Sequence, residues 1–535
     1  MPQLEDAVRA AYRSRFLDAL DSGRAKPLLI PYSTLGAFIV PTLWLTIPHA
    51  SRPWLYQTRW AVMAFVILFD VHIMRVCSST NFACSYAAGL MASWGIIMSM
   101  NLLVWKRPQF EAARVIRVAK LGTKSSNNGE PCETKSNGHG QSGENALRNR
   151  KSAPSTSSQL QDLNSTKAAS DDEYEYRWQT FPEDAPFLER LGWATDLSCS
   201  FRGAGWNYSI SSIPRPPIPA TIHPNSKVDV TLIPHQTPSG YAHPLTETNL
   251  LLSRATHILL AYITLDVVSI QMMKDPFFIF GPDNTYELPL YLQHVSPLFL
   301  LLIRECMSLI GIWAAITAIF SLNDIVQYYL LKTFFPSRAA LWHYASTFGG
   351  VTEILDRGLA GWWGAWWHQT FRLEFLGPSV FLLKKEYVKR GSQAADAFGL
   401  FISFFQSGLM HTAGSITAVP PTKPWRAMLF FLLQGLGIAL QQRLVLVLRK
   451  HFGDVPRVAR RAGNLGFCLL WLSLTAPLFV NDMASTGLWL LEPVPISPMR
   501  YMGFGNPGDH WWRWDREHLP KLYPVKHWWE VGIAL

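Results

Sequence analysis

The sequence predicts an all-α polytopic membrane protein with about eight transmembrane helices. Three observations predict it. Hydrophobic residues make up 49 % of the 535 residues and charged residues only 16 %, against roughly 25 % charged in soluble domains. The apolar residues gather in runs close to the ~20 residues that a helix needs to cross a hydrocarbon core. The 22 tryptophans suit a chain that meets two membrane–water interfaces, where amphipathic rings collect.

The runs stand at 27–48, 60–76, 82–105, 248–273, 296–320, 397–417, 427–448 and 464–481. Residues before Pro27 are too charged for a cleavable leader, so the first spans are expected to direct insertion themselves. Two further pieces, 321–335 and 359–372, are amphipathic and suit the interface; the second carries Trp362, Trp363, Trp366 and Trp367. Arg304 and Glu305 interrupt the fifth run, which reads as a structural ion pair or a break between two helices. Basic residues flank the first run (Arg24, Lys26) and follow the third (Lys106, Arg107, Arg114, Arg117, Lys120), so the positive-inside rule gives opposite orientations.

These features divide the chain. Residues 1–105 are N-terminal transmembrane helices, 106–246 a polar insert, 247–335 central transmembrane helices, 336–482 a region holding two histidine segments, and 483–535 an aromatic-rich tail. The first half of the insert, through 124–170, is rich in Ser, Asn, Gly and Lys and nearly lacks aromatics. Such a composition cannot bury a core and is expected to be disordered. The second half carries Trp178, Phe181, Trp193, Phe201, Trp206 and a proline run at 214–219. It is expected to lie as ordered extended chain on the membrane-embedded body.

The formal net charge of +10 fits basic segments near anionic lipid. With no zinc knuckle or RNP motif, no nucleic-acid partner is expected. The six cysteines form no Cys-x-x-Cys pair, so no metal is expected. The sequence also lacks a Gly-x-Ser-x-Gly elbow, a Walker loop, a Gly-x-Gly-x-x-Gly fingerprint and a His-Glu-x-x-His motif. These absences argue against a serine hydrolase, an ATPase, a Rossmann enzyme and a zinc protease.

Two histidines in apolar surroundings stand out. His411 ends the segment Ser407-Gly408-Leu409-Met410-His411. On a helix Ser403, Ser407 and His411 share a face, and a polar stripe on a greasy helix turns toward protein or water. An ionisable group there is costly and usually faces a cavity or a bundle interior. Two readings stay open: a general base working near neutral pH, or an interhelical hydrogen-bonding histidine. His368 lies in Trp362-Trp363-Gly364-Ala365-Trp366-Trp367-His368-Gln369-Thr370-Phe371-Arg372. Were 359–372 helical, Gly361, Gly364, Ala365, His368 and Arg372 would line one side, leaving room for a ligand or for a second helix. Arg372 is placed to grip a phosphate or carboxylate, to pair with Glu374, or to anchor at the interface. The basic connector Lys384-Lys385 with Lys389-Arg390 reads as a solvated loop, or as a collar for an anionic cofactor such as coenzyme A.

Both segments together, in this order and spacing, resemble the wax synthase-like branch of membrane-bound O-acyltransferases, and within it the fungal secondary-metabolite acetyltransferases. The resemblance covers about 360–415 and extends loosely to the polytopic layout. It implies acyl transfer, most often of an acetyl group, from acyl-CoA to a hydroxyl of a hydrophobic small molecule such as a terpenoid or polyketide-derived metabolite. It implies His411 as the catalytic histidine and His368 as its partner, with Trp367, Gln369, Arg372 and Ser407 as substrate-binding candidates. The helices would surround a buried catalytic tunnel in the endoplasmic reticulum membrane, with acyl-CoA entering from the cytosol and the alcohol from the bilayer. Plant wax synthases carry two arginines where Ala365 and Trp366 stand, and an asparagine in place of His368. That departure counts against a long-chain wax product and against a phosphate-binding role for the region.

Two readings of other classes remain: a proton-coupled membrane transporter relaying protons through buried histidines, and a scaffold anchored by its tryptophans. The lack of an internal repeat counts against the first.

Overall fold

The computed structural model describes residues 4–120, 174–453, 455–514, 519–523 and 531–535. The expected disordered part of the insert falls almost wholly outside the described residues. The body is built of helices: α1 (Leu4–Asp21), α2 (Arg59–Val76), α3 (Phe82–Ser99), α4 (Phe187–Cys199), α5 (Glu247–Met272), α6 (Pro297–Phe334), α7 (Gln393–Thr417), α8 (Trp425–Phe452) and α9 (Arg457–Ser485). Five are long and apolar enough to cross a membrane: α3 with its continuation to Trp105, α5, α6, α8 and α9. Their outer faces leave Leu252, Leu259, Ile319, Leu446 and Leu474 exposed, a greasy surface that suits lipid.

The other three apolar runs behave differently, each for a local reason. The run 27–48 is not one continuous helix. It passes through a cis Ile30–Pro31 bond, a 3-10 turn and a π turn before a short helix at Val40–Thr46. Pro31, Pro41 and Pro48 remove backbone donors along it. The run 60–76 forms α2, but Arg59, Asp70 and Arg75 give it a higher charge density than the five. The run 397–417 forms α7, a 25-residue helix diluted by Gln406, Ser407 and His411.

Two expectations are corrected. The segment 321–335 is no separate interfacial piece, because α6 runs unbroken for 38 residues through both Arg304–Glu305 and Phe320–Ser321. No proline or glycine stops it at either place. Arg304 pairs outside its own helix, with Asp275 at 2.7 Å. Past Ser321, the buried Asp324 binds Arg254 of α5 at 2.8 Å, and Arg254 also donates to the Tyr344 carbonyl. Losing either member of such a buried pair typically costs about 3–5 kcal/mol. The second correction concerns 359–372: helix is found at Leu359–Gly361 and in a π turn at Trp362–Trp366, then breaks until a short helix begins at Arg372. Trp367 is already extended, with φ −62° and ψ 149°.

The described part of the insert is compact. Strands β1 (Arg114–Ala119), β2 (Tyr174–Gln179) and β3 (Lys227–Val228) form an antiparallel sheet in the order β1-β2-β3, with Arg114 opposite Gln179 and Tyr176 opposite Val228. Trp178 and Val115 pack on Ala340 and Trp342 beyond α6. Between sheet and body, Asp196 of α4 is gripped by Arg338 at 2.9 Å and Arg114 at 3.0 Å. Burial pushes this carboxyl up, but Arg338 and Arg114 outweigh it and hold it below the ordinary carboxylate value.

Candidate active site

Helix α7 carries His411 into the middle of the body. Its N-terminus is capped by Ser392, whose hydroxyl accepts from the Ala395 amide. The helix lies unusually close to α3: a Cβ at Gly89 would meet the Ala413 carbonyl at 2.0 Å. Glycine is the one residue that permits this approach, and close backbone packing is what drives helices together where lipid is as apolar as the side chains. On another face Gly408 abuts Met428 of α8, with its sulfur 2.8 Å from where a Cβ would stand. The glycine of the motif thus has a steric reason.

Around His411 the cage is aromatic. Phe431 stacks on the imidazole at 4.7 Å with 13° between planes, Phe479 of α9 meets it edge-on at 5.1 Å, and the Tyr86 hydroxyl lies 3.0 Å from Nδ1. Nε2 makes no hydrogen bond among the described residues. Ser403 is spent within its own helix, on the Gly399 carbonyl. Ser407 is half-buried one turn before His411.

His368 stands just past the π turn, on irregular chain. Its Nδ1 lies 3.2 Å from the Thr370 hydroxyl. Phe320 of α6 stacks on the ring at 6.4 Å, and Phe348, Trp367 and Phe371 close other sides. Hydrogen bonds force the chain to turn here. Gln369 donates to the Trp363 and Trp367 carbonyls at 2.9 and 2.6 Å, and its side-chain oxygen accepts from Arg372 at 2.7 Å. Arg372 also donates to the Gly364 carbonyl. These bonds satisfy backbone groups that the broken helix leaves open. From the insert, the Tyr241 hydroxyl donates to the Trp367 carbonyl at 3.1 Å, and Arg202 holds the Ala345 and Ser346 carbonyls. His368 lies between helices, outside the spans. Burial, and secondly the Arg202 charge, lower its imidazole to about 4, so it is neutral at ordinary pH.

The two histidines meet through shared walls. Trp363 touches Trp367, the neighbour of His368, at 6.0 Å, and Phe431, the ring stacked on His411, at 6.1 Å. Both imidazoles are half-buried and keep some accessible surface. Gln406 adds a strut, donating from α7 to the Phe375 carbonyl at 3.0 Å.

Of the residues singled out from sequence, His411, His368 and Trp367 gather at this wall, and Ser407 lies one turn before His411 on α7. Gln369 and Arg372 are spent on the turn behind it. Arg372 does not pair with Glu374, which is buried and sits in the field of Lys106. Tyr86, Tyr241, Thr370, Phe431 and Phe479 were not singled out. A tyrosine in an apolar run and one in a polar loop carry no periodic signal. Among the described residues, no group of three or more His, Cys, Asp or Glu side chains is placed to hold a metal ion.

Comparison with known proteins bears on the same segment. Residues 344–433 match the Membrane bound O-acyl transferase family, and this stretch includes both histidines and Phe431. The acetyltransferase pyr8 of Aspergillus fumigatus is 24 % identical over 319 residues, 58 % of this chain and 66 % of the relative. The acetyltransferase ataH of Aspergillus terreus is 30 % identical over 158 residues, 28 % of this chain and 50 % of the relative. The acetyltransferase aurG of Calcarisporium arbuscula is 23 % identical over 182 residues, 34 % of this chain and 44 % of the relative. The matches thus span less than two thirds of these relatives' lengths. No solved structure matches the chain. The resemblance read from the two histidine motifs stands: residues 344–433 match the model of the membrane-bound O-acyltransferase family, and the relatives found are fungal acetyltransferases.

Proposed function

We propose, for a chain whose segment 344–433 matches the membrane-bound O-acyltransferase family, that the whole protein transfers an acyl group from acyl-CoA to a hydroxyl of a hydrophobic small molecule. An acetyl group is the favoured donor group, because the named relatives are acetyltransferases. A terpenoid or polyketide-derived alcohol is the acceptor class, and the endoplasmic reticulum membrane the location. The observation that carries the reading is the convergence of His411 and His368 on one aromatic wall inside the matched segment, each with accessible surface.

In this reading His411 takes the hydroxyl proton at Nε2 while the alcohol oxygen attacks the thioester carbonyl carbon. The carbon–sulfur bond then breaks, and His411 returns its proton to the departing sulfur. The products are an ester and free CoA thiol, and no covalent acyl-enzyme is needed. His368, held neutral, positions the alcohol or donates to the developing oxyanion. Trp367 and Ser407 border the reacting groups. Gln369 and Arg372 act one step back, by fixing the turn that presents His368. The aromatic cage excludes water, which would otherwise compete with the alcohol.

The test is free CoA release by membranes containing the protein. Acetyl-CoA and a long-chain acyl-CoA are each offered with a panel of terpenoid, polyketide and fatty alcohols, beside His411→Ala. Alcohol-dependent release that vanishes in the variant supports the reading and reports the donor class. A fully active His411→Ala overturns it.

A further inference from the structure

The hydroxyl of Tyr86, on α3 and outside the matched segment, is the polar group closest to the imidazole of His411, 3.0 Å from Nδ1. The same hydroxyl lies 3.5 Å from the His411 carbonyl oxygen. This pair of partners permits two arrangements. If the phenol donates to Nδ1, the one ring proton of neutral histidine must sit on Nε2, and the ring has no free lone pair left to take a proton. If Nδ1–H donates to the phenol oxygen, the phenol proton turns to the carbonyl, and Nε2 is left bare.

The packing shows that this contact is built rather than incidental. Tyr86 is 5 % exposed. Its ring lies directly against Gly414, one turn beyond His411, where a Cβ would stand 2.9 Å from the ring. One side chain also ties α3 to α7 by hydrogen bonds. The Thr417 hydroxyl donates to the Ser85 carbonyl at 2.7 Å and accepts from the Gly89 amide at 3.1 Å. Ser85 and Gly89 flank Tyr86 on its own helix. A shift of one helix along the other would break these bonds and carry the phenol away from Nδ1.

We propose that Tyr86 is a positioning residue whose phenol oxygen accepts the Nδ1–H of His411, holding the imidazole in the tautomer and orientation that leave Nε2 free as the base. The inference rests on the reading of His411 as that base. The tautomer is selected by what the other ring nitrogen bonds, so removing the phenol oxygen should release the ring without emptying the cage.

The experiment uses the full-length protein in lipid nanodiscs, labelled with nitrogen-15 and carbon-13 in its histidines. The His411 signal is assigned by its loss in His411→Ala. The expected wild-type signature is a neutral ring protonated at Nδ1, changing in Tyr86→Phe to a mixture or to the Nε2-protonated form. Alongside, Tyr86→Phe should lower kcat of CoA release by about 10- to 100-fold with KM little changed. An Nε2-protonated ring in the wild type, or an unaltered signal in Tyr86→Phe, overturns the proposal. So does a Tyr86→Phe enzyme with wild-type kcat when His411→Ala is inactive. The magnetic resonance result needs no substrate, so it judges the hydrogen bond alone, while CoA release by wild type and His411→Ala judges the underlying reading.

Discussion

The two histidines are held by opposite kinds of structure. His411 rides on a 25-residue helix whose place is set by close contact: Gly89 against Ala413, Gly408 against Met428, and the Thr417 hydroxyl between two backbone groups of α3. His368 stands on irregular chain whose place is set by polar bonds, from Gln369, Arg372 and the Tyr241 hydroxyl. The first support is mainly steric and short-range, with one hydroxyl added, and every member belongs to a helix. The second is a hydrogen-bond network reaching into the polar insert. A steric seat tolerates little motion, whereas a turn held by a few bonds can adapt to what it binds. The difference suits a base that must stay in one orientation and a partner that meets varied alcohols.

Substitutions can break this contrast. The largest effect is expected at His411: His411→Ala should lower acyl transfer by about 10²–10⁴-fold, with insertion and expression intact. Measurable CoA release at the wild-type rate would remove the helix-borne histidine from the chemistry. At His368, Ala should cost about 10²–10³-fold, as loss of a positioned donor does, while Asn retains activity that Ala loses. Equal retention by both would reduce His368 to packing.

Smaller effects sharpen the comparison. Gln369→Ala strands the Trp363 carbonyl and an Arg372 donor, which should cost about 1–3 kcal/mol of stability and lower activity through His368. Tyr241→Phe, losing one bond, should cost about 1 kcal/mol. Thermal unfolding in detergent measures both; if neither moves the midpoint, the turn is held by something else. The least of these effects is a pH dependence. His368 is lowered from 6.5 to about 4 in the folded protein. Between those values the unfolded chain takes up a proton that the folded chain refuses, so stability falls as pH drops through that window. His368→Asn should therefore lose part of the midpoint decline between pH 6.5 and 4. An unchanged decline would place the sensitivity in another group.

Much of the bundle was legible because spanning helices need little beyond length and apolar composition, as the runs at 82–105, 248–273, 296–320, 427–448 and 464–481 show. The site was legible at its two histidines, because an ionisable residue in a greasy segment is costly enough to signal a purpose. Where each neighbour ends up was not legible. The run 359–372 has helical periodicity, yet the Gln369 side chain captures the backbone carbonyls that would continue the helix. Gln369 and Arg372 therefore stand behind the site rather than in it.

By itself the sequence determined that the protein is a helical bundle with apolar outer faces, and that His368 and His411 are the residues to watch. Only the tertiary structure decided that they share one wall, that Tyr86 from a distant helix touches the His411 ring, and that Tyr241 from the polar insert secures the His368 turn. The physical reason is the range of the forces. Composition and periodicity register what each segment does with solvent or lipid, which is local. A hydrogen bond between residues 325 positions apart, such as Tyr86 with His411, depends on where two helices come to rest.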